Sequence, residues 1–511
     1  MNIALVNVSG RMSTDGSRLV SALLKRAGHA VRGIFMSRRS PMLYDERELE
    51  LLDGIFSDTE AVMVSVYSSY AARAAQITDF IHRRYPRCRV FWGGPHCISV
   101  PEVGLAHADG ICFSEGDEAV VDLADRLAKG GDWTATPNFS FRVDGRVITN
   151  RVLPPFRDLD SLPYYDYDLD GQFMLDRELI PMTPELLKAR LASYPYRTPI
   201  FYFMTSRGCP HNCAYCNNCR YLALWGKVPI RLHSVERVVR ELESQLARLA
   251  FIEFVGFGDD DFFVRPSEQL AEFSAGYKKR IGLPFGVAVS ARTYRREKLD
   301  ILLDAGLKIV QMGVQSGSQR VLDEVFNRTL SVEKTRAAGL DLARSIRGRG
   351  MDLALDFIID NPYETREDAY KTFRYILELP PKVQLNVFSL AYFPGTPLYE
   401  RALADGIISP TSREIYKFWA RTSLRYQRNW ETVLILLTRF LRLATKGRSS
   451  AVEAFLRFCG SRPVRVCMSV LPGAFFSALA AAVQGIVLAQ ARKKERAHLG
   501  SGAAKKAVRA A

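Results

Sequence analysis

Residues 1–400 have no excess of either charge: they hold 50 Lys/Arg and 50 Asp/Glu, so nothing in that stretch marks a surface for nucleic acid or an acidic partner. Long apolar runs are missing from the start as well. Met1-Asn2-Ile3-Ala4-Leu5-Val6-Asn7-Val8 has no basic lead and no extended hydrophobic stretch, and is expected to form a buried strand rather than a signal peptide. There is no short-period repeat beyond an alternation of strand and helix patterns. An even disulfide framework is lacking too. The nine cysteines are odd in number and three crowd into one loop, which points to a metal site in a reducing, intracellular compartment, so a cytoplasmic location is expected.

What is present fits a folded chain of several domains. At 511 residues and 57.5 kDa, two or three domains of roughly 100–200 residues are expected. Apolar residues make up 48% and charged residues 24%, as in globular proteins. The formal charge of +15 arises from Arg401 onward, where 20 Lys/Arg face 5 Asp/Glu. The positive charge therefore belongs to the C-terminal segment.

The predicted fold class is α/β. In residues 1–150, strands Ile3–Val8, Val31–Met36, Ala61–Tyr67, Arg89–Gly94 and Gly110–Glu115 alternate with helices Ser17–Ala27, Ala71–Arg84 and Glu118–Leu127, which predicts a Rossmann-like parallel sheet. Phe139–Asn150, with Asp144-Gly145 at its centre, reads as a closing hairpin. Residues 151–199, rich in Pro, Tyr and Asp, read as a linker. A second series follows in 200–400, with strands Ile200–Thr205, Ile252–Phe257, Phe285–Ser290, Ile309–Val314, Leu353–Ile359 and Leu385–Leu390. Six βα units suit a partial barrel of the TIM type, whose reacting groups sit at the strand C-terminal ends. Residues 401–511 read as helical and basic.

Directly after the first barrel strand comes Thr205-Ser206-Arg207-Gly208-Cys209-Pro210-His211-Asn212-Cys213-Ala214-Tyr215-Cys216. Thiolates spaced C-x3-C-x2-C can take three irons of a cubane and leave the fourth open. The alternative is structural zinc, for which Cys219 offers a fourth thiolate; zinc loops, however, usually bring two separated pairs of ligands.

The spacing, the preceding Arg-Gly and the aromatic Tyr215 resemble the radical S-adenosylmethionine (radical SAM) superfamily. The resemblance implies a [4Fe–4S] cluster on Cys209, Cys213 and Cys216, with S-adenosylmethionine on the open iron and cleaved by one electron to a 5′-deoxyadenosyl radical. Cys219 is then a bystander. Gly256-Phe257-Gly258-Asp259-Asp260-Asp261-Phe262 resembles the family's second-strand motif and implies contacts to the cofactor's ammonium from Gly258, Asp259 and Asp260. Gly313-Val314-Gln315-Ser316-Gly317-Ser318 resembles the fourth-strand motif, with Gln315 where an acid is usual. Asp356–Thr365 resembles the segment that flanks adenine, with Asp360-Asn361 in place of small residues. Tyr392–Tyr399 closes the resemblance. Ser290, Gln315, Ser316 and Ile358, with Tyr215, complete the implied S-adenosylmethionine contacts. No side chain is singled out as catalytic.

In the first domain, Ser65-Val66-Tyr67-Ser68-Ser69, Gly93-Gly94-Pro95-His96 and Ser114-Glu115-Gly116-Asp117-Glu118 resemble the cobalamin-binding domain that precedes many radical SAM enzymes. That implies cobalamin contacts at Ser65, Ser68, Gly93, Gly94, Glu115 and Gly116, where small residues let the backbone approach a large ring. The D-x-H-x-x-G motif of the methionine-synthase type is absent, and His96 is not assigned to cobalt. A Rossmann-like domain that binds no corrin is the plainer alternative. Taken together, the resemblance implies a cobalamin-dependent enzyme that methylates an unactivated carbon of a small-molecule or lipid-like substrate, fed by a one-electron donor such as flavodoxin or ferredoxin. Radical cyclisation, oxidative rearrangement and a non-catalytic cobalamin or iron–sulfur sensor are the other readings.

Val466–Ala491 contains no charged residue, but Pro472-Gly473 interrupts it. With Trp430–Arg448 and the basic tail, residues 430–496 are expected either to lie on an anionic membrane surface or to cap the barrel mouth. Nucleic acid is not expected, because Ala491–Ala511 lacks interleaved aromatics.

Overall fold

The computed structural model of the chain describes residues 1–13, 15–38, 42–193, 198–409, 428–447, 449–483 and 485. A nine-stranded sheet is formed by β1 (Asn2–Asn7), β2 (Ala30–Met36), β3 (Ala61–Ser65), β4 (Arg89–Gly93), β5 (Gly110–Cys112), β6 (Phe139–Val143), β7 (Arg146–Thr149), β8 (Gln172–Leu175) and β9 (Leu179–Pro181). Its order is β7-β6-β5-β4-β3-β1-β2-β8-β9. The six inner strands β1 to β5 and β8 run parallel, and a hairpin turns back at each edge. β1 is buried along nearly all its length, as a central strand covered on both faces must be. The helix Ala71–Arg84 buries Ala74, Ile77, Phe80 and Ile81, one apolar stripe at helical spacing.

The hairpin at Phe139–Asn150 forms as expected. The segment 151–199, read above as a linker, does more than connect. Its β8 extends the first sheet beside β2, with β9 folded back on it. Pro and Asp punctuation flanks these strands of four and three residues, too short for a period-2 pattern to register.

The same segment then supplies β10 (Ala192–Ser193), the antiparallel edge of the second sheet, next to β11 (Thr198–Phe203). A two-stranded ladder of β12 (Ser206–Arg207) and β13 (Arg231–Leu232) interrupts the series. It resumes with β14 (Phe254–Phe257), β15 (Phe285–Val289), β16 (Leu307–Gln315), β17 (Asp352–Ile359) and β18 (Gln384–Ser389), all parallel and in sequential order. This is the six-stranded partial barrel. Its helices Val235–Arg248, Ser267–Arg280, Arg296–Asp304, Val332–Ser345 and Arg366–Glu378 cover the outside. Three of them begin at side-chain caps, Ser234, Ser331 and Thr365, each accepting a backbone N–H of its first turn.

The C-terminal helix Trp430–Ala444 lies along the outer helix Arg366–Glu378 rather than over the barrel mouth. Arg366 forks onto Glu431 at its start (3.0 Å twice), and Arg442 donates to the Ile376 carbonyl near its end (3.0 Å). Glu431 also accepts from Arg465 (3.0 Å) of the helix Arg462–Ser469, so one buried carboxylate joins three helices. Among the described residues no single helix is long and apolar enough to cross a membrane. Arg462–Ser469 and Gly473–Val483, bent by 115° at the Pro472-Gly473 break, pass only as a pair. The basic stretch after Ala491 lies outside the described residues.

Candidate active site

Both sheets turn the C-terminal ends of parallel strands toward one cavity of about 680 Å³. The first sheet contributes Ser65 at the end of β3, Gly93 and Gly94 at the end of β4, and Glu115 and Gly116 after β5. Opposite stand Cys209, His211 and Asp260. Of the residues assigned to cobalamin, only Ser68 is not on this wall. It is buried, with its hydroxyl 3.1 Å from His96 Nδ1. His96 is itself fully buried behind the cavity lining, and that burial holds its imidazole down at about 4 and hence neutral.

Two bidentate pairs join the walls. Arg207 donates to Asp117 at 2.7 and 2.8 Å, and Arg231 donates to Glu115 at 2.8 Å twice and to the Phe156 carbonyl at 2.8 Å. Glu115 also accepts the Phe156 N–H at 2.9 Å. Its carboxylate is thus committed to holding the wall, and any ligand meets the backbone beside it.

The cysteine loop is built by close backbone approach. Gly208 has φ +102°, and a Cβ there would fall 2.7 Å from the Pro229 carbonyl oxygen, so only glycine fits. The loop is then tied to later parts of the barrel. Ala214 N–H donates to Phe326 O (2.8 Å), Leu398 N–H to Ala214 O (3.0 Å), Asn327 to Asn212 O (2.9 Å) and Arg292 to Pro210 O (3.1 Å). Cys213 is buried, while Cys209 and Cys216 are half-buried. Burial first, then Asp260 and the neighbouring thiols, pushes Cys209 and Cys216 up to about 12, so metal loading must displace their protons. Among the described residues no three His, Cys, Asp or Glu side chains converge as a single metal ion requires. Cys219, the fourth thiol, is buried in the first turn of the helix Asn218–Trp225.

The acidic run lies in the loop after β14, and its three carboxylates go to different places. Asp259 is buried and accepts from the Thr205 N–H (3.2 Å), the Thr205 hydroxyl (3.0 Å) and the Ser206 hydroxyl, tying the end of β14 to that of β11. Asp261 accepts from Ser290 (2.7 Å) and Thr293 (2.7 Å), which also accounts for Ser290. Asp260 alone turns its carboxylate toward the cavity, beside Asn218 (2.9 Å). Gly258 is exposed and donates its N–H to Phe203 O (2.9 Å). Ser316 is buried 3.3 Å from the Thr372 hydroxyl. Gln315 adopts φ +71° at a bulge between β16 and β17. Ile358 packs with Tyr215 against Phe326 and its neighbours.

Two residues of the site escaped the sequence reading. Arg328 donates to Cys213 Sγ (3.7 Å), Tyr215 Oη (3.3 Å) and the Gly313 carbonyl (3.0 Å). His211, inside the cysteine motif, lines the cavity with both ring nitrogens buried and without a protein partner, and burial lowers it to about 3.

Residues 203–376, from the end of β11 through most of the helix after β17, match the sequence profile of the Radical SAM superfamily. The chain carries a radical SAM domain. Over 409 residues it is 25% identical to an uncharacterized methyltransferase of Pyrococcus horikoshii, covering 76% of this chain and 82% of that one. A 264-residue match at 25% identity links it to the cytidylyl-2-hydroxyethylphosphonate methyltransferase of Streptomyces wedmorensis, covering 50% of this chain and 45% of that enzyme. The chain thus spans less than half of the latter's length. Among solved structures, the radical S-adenosylmethionine methyltransferase TsrM of Kitasatospora setae, holding cobalamin and a [4Fe–4S] cluster, superposes with a TM-score of 0.62 at 17% identity over 79% of this chain and 78% of that one. At that identity the likeness concerns the fold: a radical SAM barrel behind a Rossmann-like sheet.

Replacing Arg231 by Met should strip Glu115 of its bidentate partner between the radical SAM domain and the first sheet, leaving it only Arg207 at 3.6 Å and the Phe156 N–H. The expected loss is ~3 kcal/mol, read as a lower denaturation midpoint. An unchanged midpoint would show that the pair carries no net stability.

Proposed function

We propose that the chain is a radical SAM enzyme that cleaves S-adenosylmethionine reductively and methylates an unactivated carbon with the help of cobalamin. The observation that carries this reading is the shared cavity, with the small-residue edge of the first sheet on one side and the cysteine loop on the other. A cubane takes each thiolate at a separate iron, so thiols that lie near one another without converging on a point suit it, and Cys209 brings their loop to the cavity wall. Cys209, Cys213 and Cys216 would hold the cluster, and Ser65, Gly93, Gly94 and Gly116 would let a corrin approach the sheet. Bound there, the cluster supplies the electron and the cobalamin the methyl group. The protein excludes water, and Asp260 offers its carboxylate to the methionine ammonium, a role the buried Asp259 is too engaged to share. Methyltransferases outnumber the two magnesium-protoporphyrin IX monomethyl ester cyclases among the relatives, which favours methyl transfer over cyclisation.

After anaerobic reconstitution and dithionite reduction, wild type and Cys219→Ala should release 5′-deoxyadenosine, while Cys209→Ala, Cys213→Ala and Cys216→Ala should fall by at least about 100-fold. A reconstituted wild type that holds its cluster but cleaves nothing, even with substrate candidates and cobalamin present, would favour the sensor reading. Gly93→Leu tests the corrin. A Cβ there makes only ordinary contact with Cys112 (3.8 Å), so the fold should persist while cobalamin absorbance after gel filtration is lost. Retained cobalamin would move the corrin away from this edge.

A second reading concerns the surface at which the enzyme works. Phe458, Val466 and Val470 are 65, 60 and 82% exposed on the C-terminal helices, with Arg457 and Arg462 exposed among them. Beyond Glu453 the sequence holds 10 Lys/Arg and one acid, Glu495. Apolar side chains rimmed by cations complement an anionic lipid surface, which would suit a lipid-like substrate. Flotation with phosphatidylserine-containing vesicles should carry the wild type but not Phe458→Asp/Val470→Asp, and phosphatidylcholine vesicles should carry neither. Equal recovery of both proteins would assign the face to another partner.

A further inference from the structure

Arg328 is buried, at 7% exposure, and its partners are unusual for a buried cation. It meets a thiol sulfur, a phenol and a backbone carbonyl, while its Nε–H finds no acceptor. Among the described residues no carboxylate lies within ion-pair distance of it. Asp356 acts on it only from farther off, with its two oxygens already taken by Gln311 (2.7 Å) and Asn386 (2.9 Å). A guanidinium removed from water without a counter-charge is costly, so its site makes physical sense only when an anion stands there.

The chain delivers this residue by a specific route. The wide turn Val321–Val325, closed by an i→i+5 bond from Phe326 N–H to Val321 O (2.9 Å), brings residues 326–328 back onto the cysteine loop. Nearby, a Cβ at Gly313 would lie 2.5 Å from the Gln315 amide nitrogen and 3.4 Å from Arg328 Nη2, so both side chains close over that glycine. An acid at position 315 would pair with Arg328 and spend its charge there. The neutral Gln315 leaves the charge directed at Cys213.

We propose that Arg328 is a positioning residue for the iron–sulfur centre: its N–H···S bond to Cys213 supplies the buried counter-charge that raises the cluster's reduction potential into the range of its electron donor. The inference rests on the cluster assignment above and goes beyond it, since hydrogen bonds to ligand sulfurs and local net charge are what set such potentials. Electron arrival adds negative charge to the cluster. A fixed cation 3.7 Å from one ligand sulfur favours that state.

The test is an anaerobic redox titration of the reconstituted protein, followed by electron paramagnetic resonance without S-adenosylmethionine. Iron and sulfide content of the wild type decides the cluster assignment itself. Given a cluster, Arg328→Met should shift the one-electron equilibrium at least tenfold toward the oxidised form, which is 59 mV. Arg328→Lys should recover most of the shift. Gln315→Glu, which keeps Arg328 but pairs it, should lower the potential in the same direction and guards against a folding defect in Arg328→Met. If the variants hold full iron and titrate with the wild type, Arg328 only braces Tyr215 and Gly313 and the proposal is overturned.

Discussion

The site depends on a like-charge contact that is tolerated only because two domains meet. In the short ladder of β12 and β13, Arg207 and Arg231 stand directly opposite each other. Two guanidiniums in that position repel, and neither strand is long enough to hold the pairing by backbone bonds alone. Each is neutralised by a carboxylate from the first sheet, Asp117 for Arg207 and Glu115 for Arg231. The ladder is the base from which the cysteine loop rises, so carboxylates that follow β5 of the first sheet brace the foot of that loop. The same two forks cross from the first sheet to the ladder, and all four of their residues line the cavity. Fold, domain arrangement and site geometry therefore share one electrostatic condition.

From that base the loop is held by residues distant in sequence. Phe326, Asn327 and Arg328 reach it from beyond β16, and Leu398 from beyond β18. The barrel is open, so a loop carrying three thiols has no closed rim to lean on, and these ties replace it. They also explain why the wide turn at Val321–Val325 is retained despite its poorer hydrogen-bond geometry: a regular helical turn there would place residue 328 elsewhere.

Much of this was legible in the chain. The helix Ala71–Arg84 stands where periodicity placed it, and the six barrel strands follow their apolar runs to within two residues at every end. The cysteine spacing was legible because its three thiols are local in sequence. What pattern could not supply is tertiary. The edge strands β8 and β9 are too short to alternate visibly. Three consecutive aspartates look alike in sequence, yet in the loop after β14 two turn into buried hydroxyl networks and one toward the cavity. Ser68 shares a motif with Ser65 but turns inward to His96. Arg328 carries no local signal at all, since its meaning lies in Cys213, more than a hundred residues earlier.

The placement of charge around the cysteine loop gives the site a direction. Asp260 acts on Cys209 and Cys216 from the cavity side, and Arg328 acts on Cys213 from the barrel side. A ligand with a cationic group would be drawn to the face where Asp260 stands, and negative charge formed on Cys213 by metal loading would meet Arg328. Reversing either charge would not merely weaken an attraction. An acid in place of Arg328 would bury uncompensated negative charge beside the thiolates, and a base in place of Asp260 would repel a cationic ligand from the face open to it. One neutral residue, Gln315, which closes with Arg328 over Gly313, leaves the Arg328 charge unpaired by a neighbouring acid. That is a reason for an amide to stand where an acid is more usual: the site needs its positive charge undiluted on one side of the loop and its negative charge on the other.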